Sequence, residues 1–116
     1  MAKTLLLLSF FLGAISVANA ADIQGVLTDW NCTERMVRDG REKVLQQDQS
    51  CSLAKNPNRS AYGLITDDKK FYKFDEAGNK QARELLNSSP NKNSLKVIAR
   101  GELDGNTMKV TTMSIL

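Results

Sequence analysis

The stretch LKVIARGELDGNTMKVTTMSIL, residues 95–116, decides the fold class. Leu95, Val97, Ala99, Gly101 and Leu103 alternate with Lys96, Ile98, Arg100 and Glu102, the period of two that gives a strand one apolar and one largely polar face. Asp104-Gly105 is a hairpin-turn signal. Beyond it Met108 and Val110 alternate with Lys109 and Thr111. The apolar positions then change phase at Met113, Ile115 and Leu116, as they do at a bulge or in a last strand buried on both sides. An antiparallel hairpin is the expectation.

Working toward the N-terminus, Ser88-Ser89-Pro90-Asn91 marks the end of an element, because proline cannot continue a helical ladder. Before it, Gly78, Ala82, Leu85 and Leu86 lay a small-to-apolar stripe along a helix from about Glu76 to Asn87. Ala61 to Thr66 and Phe71 to Phe74 are short apolar and aromatic runs joined by the polar Asp67-Asp68-Lys69-Lys70, which predicts a second hairpin. Ile23 to Trp30 is a first strand. Between Cys32 and Cys51 the chain is polar, with Met36, Val37, Val44 and Leu45 at a helical interval broken at Asp39-Gly40. A loop with partial helix is expected there, and Asn56-Pro57-Asn58 marks a turn.

The predicted order is strand, long loop, strand, strand, helix, strand, strand: mainly β with one helix. Five strands with a helix between the third and fourth match an OB-fold-like barrel, with a flat five-stranded sheet carrying one helix as the alternative. Glycines at 25, 63 and 101, each inside a predicted strand, favour the curled form, because a small barrel bends its strands sharply.

The first twenty residues read as an export leader. Lys3 precedes an apolar run from Leu5 to Val17, and Ala18-Asn19-Ala20 presents small residues to a signal peptidase, placing the cut after Ala20. No cysteine stands at that junction to take a lipid, and the apolar run is shorter than the roughly 20 residues that span a bilayer. Removing twenty residues from 116 leaves 96, one domain from Ala21 to Leu116. The mature part holds fifteen basic and thirteen acidic side chains. Such a balance does not indicate nucleic-acid binding, which concentrates a large basic excess on one face.

Cys32 and Cys51 are the two cysteines, and histidine is absent. In an oxidising compartment the pair is expected to close into a disulfide, contributing about 3 kcal/mol by the chain-entropy model. A thiol redox site wants two cysteines two residues apart, whereas eighteen residues intervene here. Two thiols without histidine supply half of a structural zinc's ligands, so neither metal nor cofactor is expected. Without histidine, and with no serine beside a visible base, the usual nucleophile activation schemes are missing and no catalytic residue is assigned. Asp67-Asp68 reads as a solvated turn beside Lys69 and Lys70. The glycosylation-type acceptors at Asn31, Asn58 and Asn87 are of the number that chance supplies in an Asn- and Ser-rich chain.

Gly25-Val-Leu-Thr-Asp29, Cys32, Cys51, Tyr62-Gly-Leu-Ile-Thr-Asp67, Lys70-Phe-Tyr72, Arg100-Gly101 and Asp104-Gly105 together resemble a group of small exported bacterial OB-fold-like proteins of unknown function. The likeness spans most of the mature chain. Members tend to carry a further cysteine and a histidine near the region of Cys32 to Cys51, and with neither present no metal or redox role carries over. The resemblance implies compartment and fold, not an activity.

The expected function is a non-catalytic binding module in the periplasm or outside the cell, with a glycan, a peptide or a cell-envelope protein as partner. OB-folds bind through the face of the second and third strands and the loop after the first, which here presents Trp30, Arg35, Arg38, Arg41, Tyr62 and Phe71. Aromatic rings stack on a sugar, and arginine forks hold carboxylate or phosphate oxygens. The alternative is a self-associating secreted subunit resembling the glycan-binding B subunits of bacterial toxins, assembled through unpaired strand edges.

Overall fold

The C-terminal hairpin is present, as β4 (Lys96–Asp104) and β5 (Thr107–Ile115). In the computed structural model, which describes residues 19–116, Asp104 pairs with Thr107 across the two-residue connection Gly105-Asn106. Only the first of these has a positive φ, 63°, the arrangement of hairpin turns that place glycine first. The change of phase is a bulge. Arg100 pairs with Thr112 but Gly101 pairs with Val110, so Thr111 is the extra residue. A Cβ on Gly101 would collide with the carbonyl of Lys109, which is why this bend needs glycine. Ile115 and Leu116 are exposed, which disposes of a last strand buried on both sides.

The remaining strands are β1 (Asn19–Asp29), β2 (Tyr62–Ile65) and β3 (Phe71–Phe74). The five hydrogen-bond in the closed order β1-β2-β3-β5-β4. Antiparallel ladders join β1 to β2, β1 to β4, β2 to β3 and β4 to β5. The ring is completed by a short parallel contact in which Lys73 and Phe74 of β3 meet Thr107 and Met108 of β5. Most of the expected leader lies outside the described residues. Its last two positions, Asn19 and Ala20, begin β1, and a cut after Ala20 leaves the β1–β4 ladder from Ala21↔Gly101 onward.

The helix count departs from the sequence expectation, and the fold is mixed α/β. Among the described residues three α-helices accompany the sheet: α1 (Trp30–Asp39), α2 (Arg41–Gln47) and α3 (Glu76–Asn87). The segment read as a long loop is helical because it carries its own start and break signals. Asp29 caps α1 by accepting from the Asn31 N–H, Gly40 at φ 100° ends it, and α2 starts at once. A 3-10 turn, Gln49–Cys51, follows. Trp30, expected as the end of the first strand, is instead the first residue of α1. The predicted bounds of α3 are those observed, with Gly78, Ala82 and Leu86 of its stripe buried. Asp75 anchors it, its Oδ1 accepting from the N–H of both Gly78 and Val110.

The main core fills the ring with Tyr62, Leu64, Phe74, Val97, Met108 and their neighbours, covered by Ala82 and Leu86 of α3. A second small cluster lies outside it: Cys32, Met36, Val44 and Cys51, with Leu45 and Ile65 against them. Cys32 and Cys51 are disulfide-bonded, with their Cα atoms 5.9 Å apart. The bridge ties α1 to the 3-10 turn and so holds α2 between them.

Candidate functional site

Strand β1 ends at Asp29, and what happens there sets the position of Trp30. Asp29 is 5% exposed. Its Oδ1 accepts from Asn31 N at 3.0 Å, and its Oδ2 meets the Arg59 guanidinium at 2.9 Å. Thr33, one turn into α1, donates to the Asp29 carbonyl at 2.9 Å and lies 2.6 Å from the Thr28 hydroxyl. These bonds lay the start of α1 across β2. The Trp30 ring then lies against Gly63: a Cβ there would be 2.6 Å from Thr33 Oγ1 and 2.9 Å from Trp30 Cε3.

Phe71 on β3 continues the platform. Its ring is stacked with Trp30, centroids 6.0 Å apart and planes inclined by 29°, and the Lys73 ammonium lies 5.9 Å from the centre of the Trp30 ring. Beside them is an open hollow of about 360 Å³ lined by Trp30, Asn31, Glu34, Phe71 and Asn106. A further hollow is bounded by Phe71, Lys69, Lys70 and Tyr72, again with Asn106. Phe71 and Asn106 are thus shared by two adjoining depressions.

The other expected site residues do not join this face. Tyr62 is fully buried in the main core, which corrects its reading as a ligand residue. Its hydroxyl donates to the Pro57 carbonyl and accepts from the Arg59 N–H, and its own N–H donates to Asn79 Oδ1. The three arginines disperse. Arg35 turns to Asp48, 2.8 Å away, and its Nη2 is 2.9 Å from Cys51 Sγ. Hydrogen bonds from the Ser50 hydroxyl and then from Arg35 hold the Asp48 carboxyl below the usual carboxylate range. Arg38 pairs with Asp39 at the surface, and Arg41 donates to the Asn93 carbonyl at 2.7 Å.

Sequence reading missed Asp29, Arg59 and Asn106. Asp29 stands immediately before a segment with helical spacing, which is an N-cap signal. Asn106 adjoins the glycine turn. Arg59 left no signal, because its partner is thirty positions away. Its guanidinium also donates to the Asn56 and Ser52 carbonyls, so one side chain gathers the connection before β2.

No family model matches this chain, no curated protein matches it, and no solved structure matches it. Among the described residues no group of three or more His, Cys, Asp or Glu is placed to hold a metal. None of the helices there is long and apolar enough to cross a membrane.

Gly63→Ala tests the platform. The added methyl has no room between Thr33 and the indole, so a loss of about 1–3 kcal/mol is expected, together with a shift in the emission of Trp30, the one tryptophan of the chain. An unchanged emission spectrum in the folded variant contradicts the described contact.

Proposed function

We propose that this chain is a small exported, non-catalytic binding module that lays the sugar rings of an oligosaccharide on Trp30 and Phe71. The observation that carries the reading is convergence. Trp30 from the connection after β1, Phe71 from β3 and Asn106 from the β4–β5 turn line one hollow. The order β1-β2-β3-β5-β4, with β3 and β5 parallel and α3 between the third and fourth strands, supports reading the ring as an OB-fold-like barrel. Such barrels take oligonucleotides and oligosaccharides on the second and third strands and on the loops after strand one and between strands four and five. The hollow adjoins those elements.

The chemistry of the lining favours a sugar. Aromatic faces suit the C–H faces of a pyranose, and the amides of Asn31 and Asn106 with the Glu34 carboxylate are partners for hydroxyl groups. The near balance of charge in the mature chain argues against a nucleic-acid backbone. A closed ring leaves few strand edges from which a self-associating subunit would be built, so the binding module is placed before the toxin-subunit reading. Export is supported by the leader pattern of residues 1–20, by the disulfide, which suits an oxidising compartment, and by the resemblance to exported proteins. Protein recovered from a host periplasm should begin at Ala21; an intact Met1 contradicts export with cleavage.

The binding test is a fluorescence titration of Trp30 with neutral and acidic oligosaccharides. A saturable change is expected for at least one, weakened by about tenfold or more in Phe71→Ala, the scale of losing an aromatic contact, and reduced in Asn106→Ala. Silence across the panel, or equal binding by both variants, contradicts the proposal.

A further inference from the structure

A third hollow, sharing no lining residue with the Trp30 hollow and only Lys69 with the depression beside Phe71, lies where α1 gives way to α2 beside the start of β4. Its volume is about 290 Å³, near the lower end of the roughly 300–1,000 Å³ of small-molecule sites. Its apolar lining comes from Val26 of β1, Met36 and Val37 of α1 and Ile65 of β2. Its basic lining comes from Arg41 at the start of α2, Lys69 in the β2–β3 turn and Lys96 at the start of β4.

These three cations differ from most arginines of the domain. Arg35, Arg38, Arg59 and Arg100 each have an aspartate within 4.0 Å. Among the described residues no carboxylate pairs with Arg41, Lys69 or Lys96. The hydrogen bond of Arg41 to the Asn93 carbonyl fixes its reach without neutralising it. Lys69 is held in place by its backbone: it is the one non-glycine residue with positive φ, 65°, among those described. The N–H of Lys69 donates to Thr66 O, and the N–H of Thr66 donates to Lys70 O. Gly40 stands at the edge with no side chain to cover it, and a Cβ there would meet nothing within 4 Å. Asp67 is the one acidic residue of the lining. It leaves a local excess of positive charge while disfavouring a multiply charged guest.

The geometry points to a binding site for a small amphipathic monocarboxylate, its alkyl or aryl part on Val26, Met36 and Ile65 and its carboxylate toward Arg41, Lys69 and Lys96. A neutral apolar molecule satisfies the apolar lining and leaves the three cations without an anionic partner. A small inorganic anion or acetate relieves the charges and leaves the apolar lining wet. A molecule with both parts satisfies both, and one unit of negative charge is what the Asp67 carboxylate tolerates best.

Octanoate is the probe, with acetate and 1-octanol as the two halves of its chemistry, followed by methyl NMR on the full chain. Saturable shifts of the Met36 and Ile65 methyls are expected with octanoate, at an affinity about tenfold or more above either half-probe. The exposed pair Lys69→Gln and Lys96→Gln, checked for native fold by circular dichroism, should weaken octanoate by about tenfold, the summed scale of two surface charge contacts. Asn106→Ala, in the other hollow, should leave it unchanged. The inference is overturned if octanoate leaves those methyls unmoved, if 1-octanol binds as tightly, if the double variant binds as the parent does, or if Asn106→Ala alone abolishes binding.

Discussion

A buried carboxylate must be paired or it destabilises the fold around it, and Asp29 meets that condition through Arg59. The geometry at the mouth of the first connection depends on this pair. One Asp29 oxygen starts α1 and the other receives the guanidinium, while the residue itself stands opposite Tyr62 in the β1–β2 ladder. Arg59 also donates through Nε and Nη2 to the Asn56 and Ser52 carbonyls, and its own carbonyl accepts from Arg83 of α3. The end of β1, the irregular connection before β2 and the long helix are thereby referred to one point. Trp30 follows Asp29 directly, so the orientation of the aromatic platform is inherited from the same pair.

A domain of this size has little core to spare, and the disulfide extends what it has. Cys32 lies in the first turn of α1, and Cys51 closes the 3-10 turn after α2. Crosslinking them brings Met36 and Val44 into a cluster with Leu45 and Ile65, a layer outside the ring that neither helix would bury alone. The layer also prepares a surface: Met36 and Ile65, packed there, also line the basic hollow at their edge. Stability and the second candidate site thus share one apolar patch.

The elements most legible in the sequence are those whose pattern is local. The alternation from Leu95 to Leu103, the glycine turn, the phase change resolved as a bulge at Thr111, the stripe of α3 and the run Phe71–Phe74 all depend on neighbours within a few positions. Strand β2 was harder. Tyr62, Gly63 and Leu64 are all buried, because the core covers one face and α1 the other, so no alternation told which way Tyr62 points. Helices α1 and α2 were obscured by their charge and by the Gly40 break, although the cap at Asp29 was readable. Arg35, Arg38 and Arg41 have a spacing that suggests one face, yet each side chain is captured by a different partner: Asp48, Asp39 and the Asn93 carbonyl. Partners of that kind, and Arg59 for Asp29, are set by tertiary structure and leave no mark in sequence spacing.

The most direct test of this account is a double-mutant cycle on Asp29→Asn and Arg59→Met, read by denaturant unfolding. Each single change should cost about 3 kcal/mol, the scale for removing one partner of a buried ion pair. The double variant should recover at least about 1.5 kcal/mol relative to the sum of the two. Effects that add to within about 0.5 kcal/mol would show that the two residues act independently, and the pair could not then be what positions Trp30.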